Sequence, residues 1–204
     1  MVSQATLERF ESDQLPVTPW KNGGGSTREI ACWPPGAGLN DFGWRVSIAT
    51  IAASGPFSVF QGIDRHIMLL EGDGVRLQSS EGHVDHLLDT PHTPFAFSGD
   101  ATIGCTLLGG ASIDFNVMTR RGQWRAELQV FDRAALIAPA PHGILLALRG
   151  IWQLDQNLDQ EPLACRQGEG LHWSGAPPAW QALRQTPEAV LVLVRFIPKA
   201  NQTN

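Results

Sequence analysis

Short apolar or alternating segments, each roughly four to eight residues long, recur along this 204-residue chain, and 21 glycines and 14 prolines separate them. They run from Trp44 to Ile51, His66 to Glu71, Val75 to Ser79, Pro94 to Phe97, Ile103 to Leu108, Asp114 to Met118 and Arg125 to Phe131. The pattern continues at Ile144 to Leu148, Ile151 to Leu154, Leu171 to Trp173 and Val190 to Ile197. No stretch sustains the 3.6-residue period of a long amphipathic helix, so the apolar surface has to be buried as β-sheet. An all-β sandwich or barrel is the expected class. The most helix-like windows are Leu7 to Gln14 and a turn near Asp132 to Leu136.

A displacement of 76 residues superposes Met68-Leu69-Leu70 on Ile144-Leu145-Leu146, Gly74-Val75 on Gly150-Ile151, Leu87 on Leu163, and Phe97-Ser98-Gly99 on Trp173-Ser174-Gly175. This is the mark of an internal duplication. It predicts two similar β units in tandem, residues 1–120 and 121–204, with the joint between Thr119 and Gly143 and the polar spacing concentrated in the first.

Composition narrows the function classes. The 15 basic and 20 acidic residues give a net charge of −5, and the basic residues are scattered, which argues against a nucleic-acid surface. Residues 1–15 lack the basic and apolar regions of a secretory signal, and the apolar runs are too short to span a bilayer, so a cytoplasmic location without membrane attachment is expected. Cys32, Cys105 and Cys165 have neither metal-site nor disulfide spacing and read as small core residues. His83, His86 and His92 suggest a metal at first sight. The strand alternation sends His83 and His86 to opposite faces, however, so no metal is expected there.

One segment is not built for packing alone. Pro19-Trp20-Lys21-Asn22-Gly23-Gly24-Gly25-Ser26-Thr27-Arg28-Glu29-Ile30 surrounds three consecutive glycines with polar and aromatic groups. Glycine runs serve where φ must be positive or where a backbone approaches something closely. A turn into a strand near Thr27 accounts for them, and so does a bound small molecule. A nucleotide phosphate loop does not, because Lys21 precedes the glycines instead of following them.

The sequence also carries family resemblances. Leu70-Glu71-Gly72-Asp73-Gly74 and Gly168-Glu169-Gly170-Leu171-His172-Trp173-Ser174-Gly175-Ala176-Pro177 resemble the turn motifs of cupins, small jelly-roll barrels that often hold a metal. The positions where such cupins carry ligands fall near Ser58, Phe60 and Arg65, with Thr102 and Pro178 in the third-histidine places; these cannot form the usual triad. Four further segments make the chain similar to the HutD/Ves family. They are Pro19 to Ile30, Trp44-Arg45-Val46-Ser47-Ile48-Ala49, Gly55-Pro56-Phe57-Ser58 through Gly62-Ile63-Asp64-Arg65, and Asp114-Phe115-Asn116-Val117-Met118. The resemblance implies a metal-free bicupin, two tandem jelly-roll-like halves with few short helices, associated with histidine utilisation and without a cofactor.

Strand parity selects the candidate ligand-binding side chains. Arg45 and Ser47 share the face opposite Trp44, Val46 and Ile48; Asp114 and Asn116 oppose Phe115; Thr27 and Glu29 oppose Arg28. A small barrel with polar inward positions can enclose one ligand. Arg45 and Arg65 suit a carboxylate, because guanidinium offers planar paired donors, and Lys21 is a secondary cation. Asn22 and Asn116 both donate and accept, and Asp114 suits a group rich in N–H. A structural alternative makes Asp64-Arg65 a brace at a barrel corner.

The resemblance and these residues together point to an acidic intermediate of histidine breakdown as ligand: formiminoglutamate, formylglutamate or urocanate. Two other readings stay open. A metal-independent isomerase or C–N hydrolase would use Asp114 or Glu29 as general base and Arg65 as electrostatic stabiliser. A structural or stress-linked interaction module would have its barrel filled by side chains and its glycine loop against a partner. A homodimer through edge strands is the expected assembly.

Overall fold

A computed structural model of the chain describes residues 6–156, 161–175 and 179–199. The described residues are built from strands and turns. They contain no helix, and so none long and apolar enough to cross a membrane. In chain order the strands are β1 (Thr6–Glu11), β2 (Val17–Pro19), β3 (Gly25–Trp33), β4 (Trp44–Ile51), β5 (Gly55–Pro56), β6 (Ile63–Glu71), β7 (Val75–Ser79), β8 (Asp85–Leu88), β9 (Phe95–Ser98) and β10 (Ile103–Leu107). They continue as β11 (Ser112–Arg120), β12 (Trp124–Phe131), β13 (Ala135–Ile137), β14 (His142–Arg149), β15 (Ile151–Asp155), β16 (Leu163–Arg166), β17 (Glu169–Ser174), β18 (Trp180–Arg184) and β19 (Val190–Pro198).

Two compact units divide the chain, one spanning Leu15–Arg125 and the other Ala126–Pro198 together with β1. In the first, sheet β2-β3-β4-β11-β6-β9 accompanies sheet β5-β10-β7-β8; in the second, sheet β1-β17-β14-β19-β12 accompanies sheet β13-β18-β15-β16. Advancing every strand number by eight converts β4-β11-β6-β9 into β12-β19-β14-β17, and β5-β10-β7-β8 into β13-β18-β15-β16. Each set of eight is a jelly roll of two four-stranded antiparallel sheets. The duplication seen at 76 residues is therefore a repeat of the fold.

Neither window forms a helix. Leu7 to Gln14 contains good helix formers, yet Thr6 to Glu11 pairs antiparallel with Ser174 to Glu169 as β1, and six residues of ladder outweigh the intrinsic preference. Around Asp132 to Leu136 the chain turns and enters β13, whose Ala135 to Ile137 pair with Ala182 to Trp180. Trp44–Ile51 and Val75–Ser79 are strands with the bounds the sequence suggests. Pro178 and the Ala176-Pro177 end of the second turn motif lie outside the described residues.

The second unit is filled by indoles. Trp152, Trp173 and Trp180 are fully buried in one cluster with Leu145, Leu171, Leu191 and Leu193. Trp173 and Trp180 meet edge to face at 5.0 Å, and Trp173 Nε1 donates to the Ala140 carbonyl at 3.0 Å. A Cβ on Gly143 would lie 2.1 Å from the Trp173 ring, so glycine at that position makes room for the indole. Trp173→Ala is expected to cost about 3–5 kcal/mol in urea unfolding, and Gly143→Ala is expected to be destabilising as well. Loss of less than about 1 kcal/mol in both would contradict this account of the second barrel.

Candidate functional site

The six-stranded sheet of the first unit supplies most of the polar candidates, and its register places them. Across β11, Asp114 lies opposite Ala49 of β4 and Leu69 of β6, Asn116 opposite Ser47 and Ile67, and Met118 opposite Arg45 and Arg65. Glu29 and Thr27 of β3 continue these rows opposite Ser47 and Ala49. Cross-strand partners share a face. Ile67 and Leu69 belong to the barrel core with Ile51, Val75, Leu77, Leu88, Phe97, Ile103 and Cys105, so Asp114, Asn116 and Arg65 point into the same interior.

There they form a chain of contacts. Arg65 Nη2 donates to Asn116 Oδ1 at 3.2 Å, and Asn116 Nδ2 donates to Asp114 Oδ1 at 3.3 Å. Arg65 is 6% exposed, Asp114 1% and Asn116 7%. Around the guanidinium stand three phenyl rings, Phe97 at 4.9 Å, Phe57 at 5.4 Å and Phe60 at 5.7 Å. Its Nε has no hydrogen-bond partner among the described residues. Burial lowers the Arg65 pKa to about 10, with Asp114 opposing and Arg45 adding to that shift. Burial also pushes the Asp114 carboxyl up to about 7, against the pull of Arg65 and of the Asn116 hydrogen bond.

Arg45 is already engaged, since its Nε donates to Glu29 Oε2 at 2.6 Å in a pair that is open to solvent on the Glu29 side. Ser47 is buried between Glu29 and Asn116 in the register. The Asp64-Arg65 brace is not formed. The two side chains leave opposite faces of β6, and Asp64 is held by Arg121, whose Nε donates to Asp64 Oδ1 at 2.7 Å and whose Nη1 donates to Asp100 Oδ2 at 2.6 Å.

The glycine segment is both a turn and a wall. Trp20 N–H bonds the Gly25 carbonyl, Gly23 N–H the Trp20 carbonyl, and Gly24 N–H the Asn22 side-chain oxygen. Gly23 has φ +71°, and a Cβ on Gly25 would fall 2.1 Å from the Thr50 carbonyl oxygen and 2.9 Å from the Trp20 ring. Trp20 is fixed by donating Nε1 to Thr27 Oγ1 at 2.8 Å. Together with Ile51, the Ala53 to Phe57 segment and Cys105, this turn lines a cavity of about 270 Å³.

The cavity adjoins the polar chain through two shared residues. Phe57 lines it and also stands beside Arg65. Cys105 lies near enough to Asp114 for the carboxylate to add to the burial that pushes its thiol up to about 12. Thus Arg65, Asp114, Asn116 and Ser47 come together with the Arg45–Glu29 pair; Asn22 and, through Trp20, Thr27 belong to the cavity wall. Lys21 is exposed in the turn and does not line the cavity. Trp20, Phe57, Phe60 and Phe97 were not among the expected site residues. The first three sit in or beside the motif segments, which was the available signal.

His86 stacks on Phe95 at 3.7 Å and His83 is exposed; among the described residues no group of His, Cys, Asp and Glu is placed to hold a metal.

The model of the HutD family matches residues 12–192. The chain belongs to the HutD family. It is 42% identical to Protein Ves of Citrobacter koseri over 161 residues, which is 78% of this chain and 82% of that one. Among solved structures, a conserved protein of unknown function from Pseudomonas aeruginosa PAO1 is 34% identical with a TM-score of 0.83, covering 94% of this chain and 99% of that one. HutD from Pseudomonas fluorescens SBW25 is 30% identical with a TM-score of 0.79, covering 96% and 100%. A putative glyoxylate-induced protein of Pseudomonas aeruginosa and Bacillus subtilis oxalate decarboxylase, at 12% and 8% identity, share the fold alone, with TM-scores of 0.67 and 0.59. This HutD-family chain is a bicupin.

A buried carboxyl that titrates near neutrality leaves a signature in stability. An unfolded Asp titrates near 3.9, so between that value and about 7 the folded protein binds more protons than the unfolded one. Asp114 therefore destabilises the fold progressively as pH rises through that window. Asp114→Asn removes the effect. Its unfolding free energy relative to the parent, read by urea unfolding, is expected to be more favourable at pH 8 than at pH 5, by an amount on the order of a few kcal/mol. An offset equal at both pH values would place the carboxyl in an ordinary environment.

Proposed function

We propose that the first barrel of this HutD-family chain is a receptor for a small carboxylate metabolite, and that the ligand is an acidic intermediate of histidine breakdown: formiminoglutamate, formylglutamate or urocanate. The observation that carries the reading is Arg65, a guanidinium held in an apolar barrel, hydrogen-bonded to Asn116 and with its Nε unpartnered among the described residues, beside an adjoining cavity. Burying such a cation costs several kcal/mol, on the order of what a well-made ion pair returns. A carboxylate entering from the cavity would supply the missing counter-charge with paired hydrogen bonds. Asn22 and Trp20 would meet the outer end of the ligand, with the Arg45–Glu29 pair as a second polar contact. Family membership supports the link to histidine utilisation. The ligand class rests on the residues.

A second reading is favoured by Asp114, whose carboxyl titrates at about 7 and so has the range of a general base. In that case the barrel would be a metal-independent isomerase or C–N hydrolase. One experiment separates the two. Thermal unfolding against formiminoglutamate, formylglutamate and urocanate is expected to give selective stabilisation by one compound, about 2.7 kcal/mol at a hundredfold excess over its dissociation constant, and a midpoint raised by several degrees. Arg65→Ala and Arg65→Gln should abolish the shift. Recovery of the compound intact by mass spectrometry supports the receptor, and recovery of product supports the enzyme. No shift with any of the three would overturn the pathway assignment.

A further inference from the structure

The charges inside the first barrel do not balance once an anion enters. On the sheet around Asp114, β4 presents Arg45 and Ser47, β6 presents Arg65, and β3 presents Thr27 and Glu29. From the facing sheet β10 contributes the Cys105 thiol, and the remaining core neighbours, Leu77 and Phe97 among them, are apolar. Glu29 is committed to Arg45 at 2.6 Å. Among the described residues of this interior Arg65 is therefore the cation without an ion-pair partner, and Asp114 offsets its charge only through space. A carboxylate placed against Arg65 leaves two negative charges facing one cation, in surroundings where Asp114 is 1% exposed and accepts a hydrogen bond from Asn116.

We propose that Asp114 is the specificity-determining residue of this pocket: it enters the complex as the neutral acid and donates its proton to a ligand carboxylate oxygen, so that binding takes up one proton. The proposal rests on the carboxylate-receptor reading of the site and assigns Asp114 the opposite polarity to an acceptor of ligand N–H groups. Two carboxyl groups sharing one proton resolve the repulsion that two buried carboxylates would suffer, and the shared hydrogen bond, having one ionised partner, is of the strong class. Burial has already brought this carboxyl to about 7 in the empty site, so the proton is available near neutral pH. The consequence for selectivity is direct. A carboxylate offers one oxygen to Asp114 and the other to Arg65, whereas a neutral carboxamide has a single acceptor oxygen to share between them and brings no charge to Arg65.

The test uses the whole protein and N-formyl-L-glutamate, whose own carboxylates are ionised throughout pH 6–9. Calorimetric titration at pH 8 in phosphate and in Tris, which differ in ionisation enthalpy, reads proton uptake on the unaltered protein. About one proton per ligand is expected, with affinity flat below pH 7 and falling about tenfold per pH unit above it. Asp114→Asn, which keeps a donor in place of the acid, is expected to bind with no proton uptake and no pH dependence over that range. PH-independent binding without proton uptake by the parent overturns this proposal and leaves the receptor reading standing. Persistent uptake in Asp114→Asn overturns the assignment to this residue. Absence of binding at every pH, with formiminoglutamate and urocanate also inert, overturns both.

Discussion

The first barrel is organised around a guanidinium kept where water is nearly excluded. Arg65 is tolerated there because its guanidinium lies over the rings of Phe57, Phe60 and Phe97, each contact worth about 0.5–2 kcal/mol, and because Asn116 and Asp114 extend from it as a chain of hydrogen bonds. None of this fully offsets the loss of hydration, as the lowered Arg65 pKa and the raised Asp114 pKa record from the two sides. A ligand that brings its own negative charge relieves the same imbalance. The rest of the site follows from that demand: a cavity beside the cation, an aromatic wall fixed by Trp20, and a glycine turn thin enough to let that wall close against β4.

The duplication makes the contrast instructive. The same eight-strand jelly roll occurs twice. In one copy Trp152, Trp173 and Trp180 occupy the interior, with Gly143 giving way to an indole. In the other, Arg65, Asp114, Asn116 and Ser47 are buried among aliphatic and phenyl side chains. An indole-filled barrel contributes packing energy, and a barrel that retains buried charge has given up part of it. Among metal-holding cupins the fixed positive charge comes from an ion; here the Arg65 guanidinium stands near one of the positions that the family pattern would assign to a metal ligand, and supplies the charge covalently.

Much of this was legible in the sequence, for identifiable reasons. Period-2 alternation put Arg45 with Ser47 on one face of their segment and Asp114 with Asn116 on one face of theirs, and the register brings the two faces together on the interior side. The repeat at 76 residues announced two similar barrels. What was hidden depends on distant parts of the chain. β1 reads locally as helix because its ladder partner, β17, lies far along the sequence. The Arg45–Glu29 pair is not visible locally, because nothing in either segment shows that Arg45 will claim Glu29. The aromatic ring around Arg65 draws Phe57 and Phe60 from the β5–β6 connection and Phe97 from β9, and no sequence window contains all three. Lys21 was attractive for its motif, yet a turn that points its neighbours inward leaves it in solvent.

The central claim is that Arg65 is the anchor for a ligand carboxylate. A crystal structure of the protein grown with N-formyl-L-glutamate tests it most directly. The account predicts density for one carboxylate within hydrogen-bonding distance of an Arg65 Nη atom, with the remainder of the molecule lying in the cavity between Trp20 and Phe57. Density confined to the protein surface, with Arg65 still bonded to Asn116 alone, would contradict it.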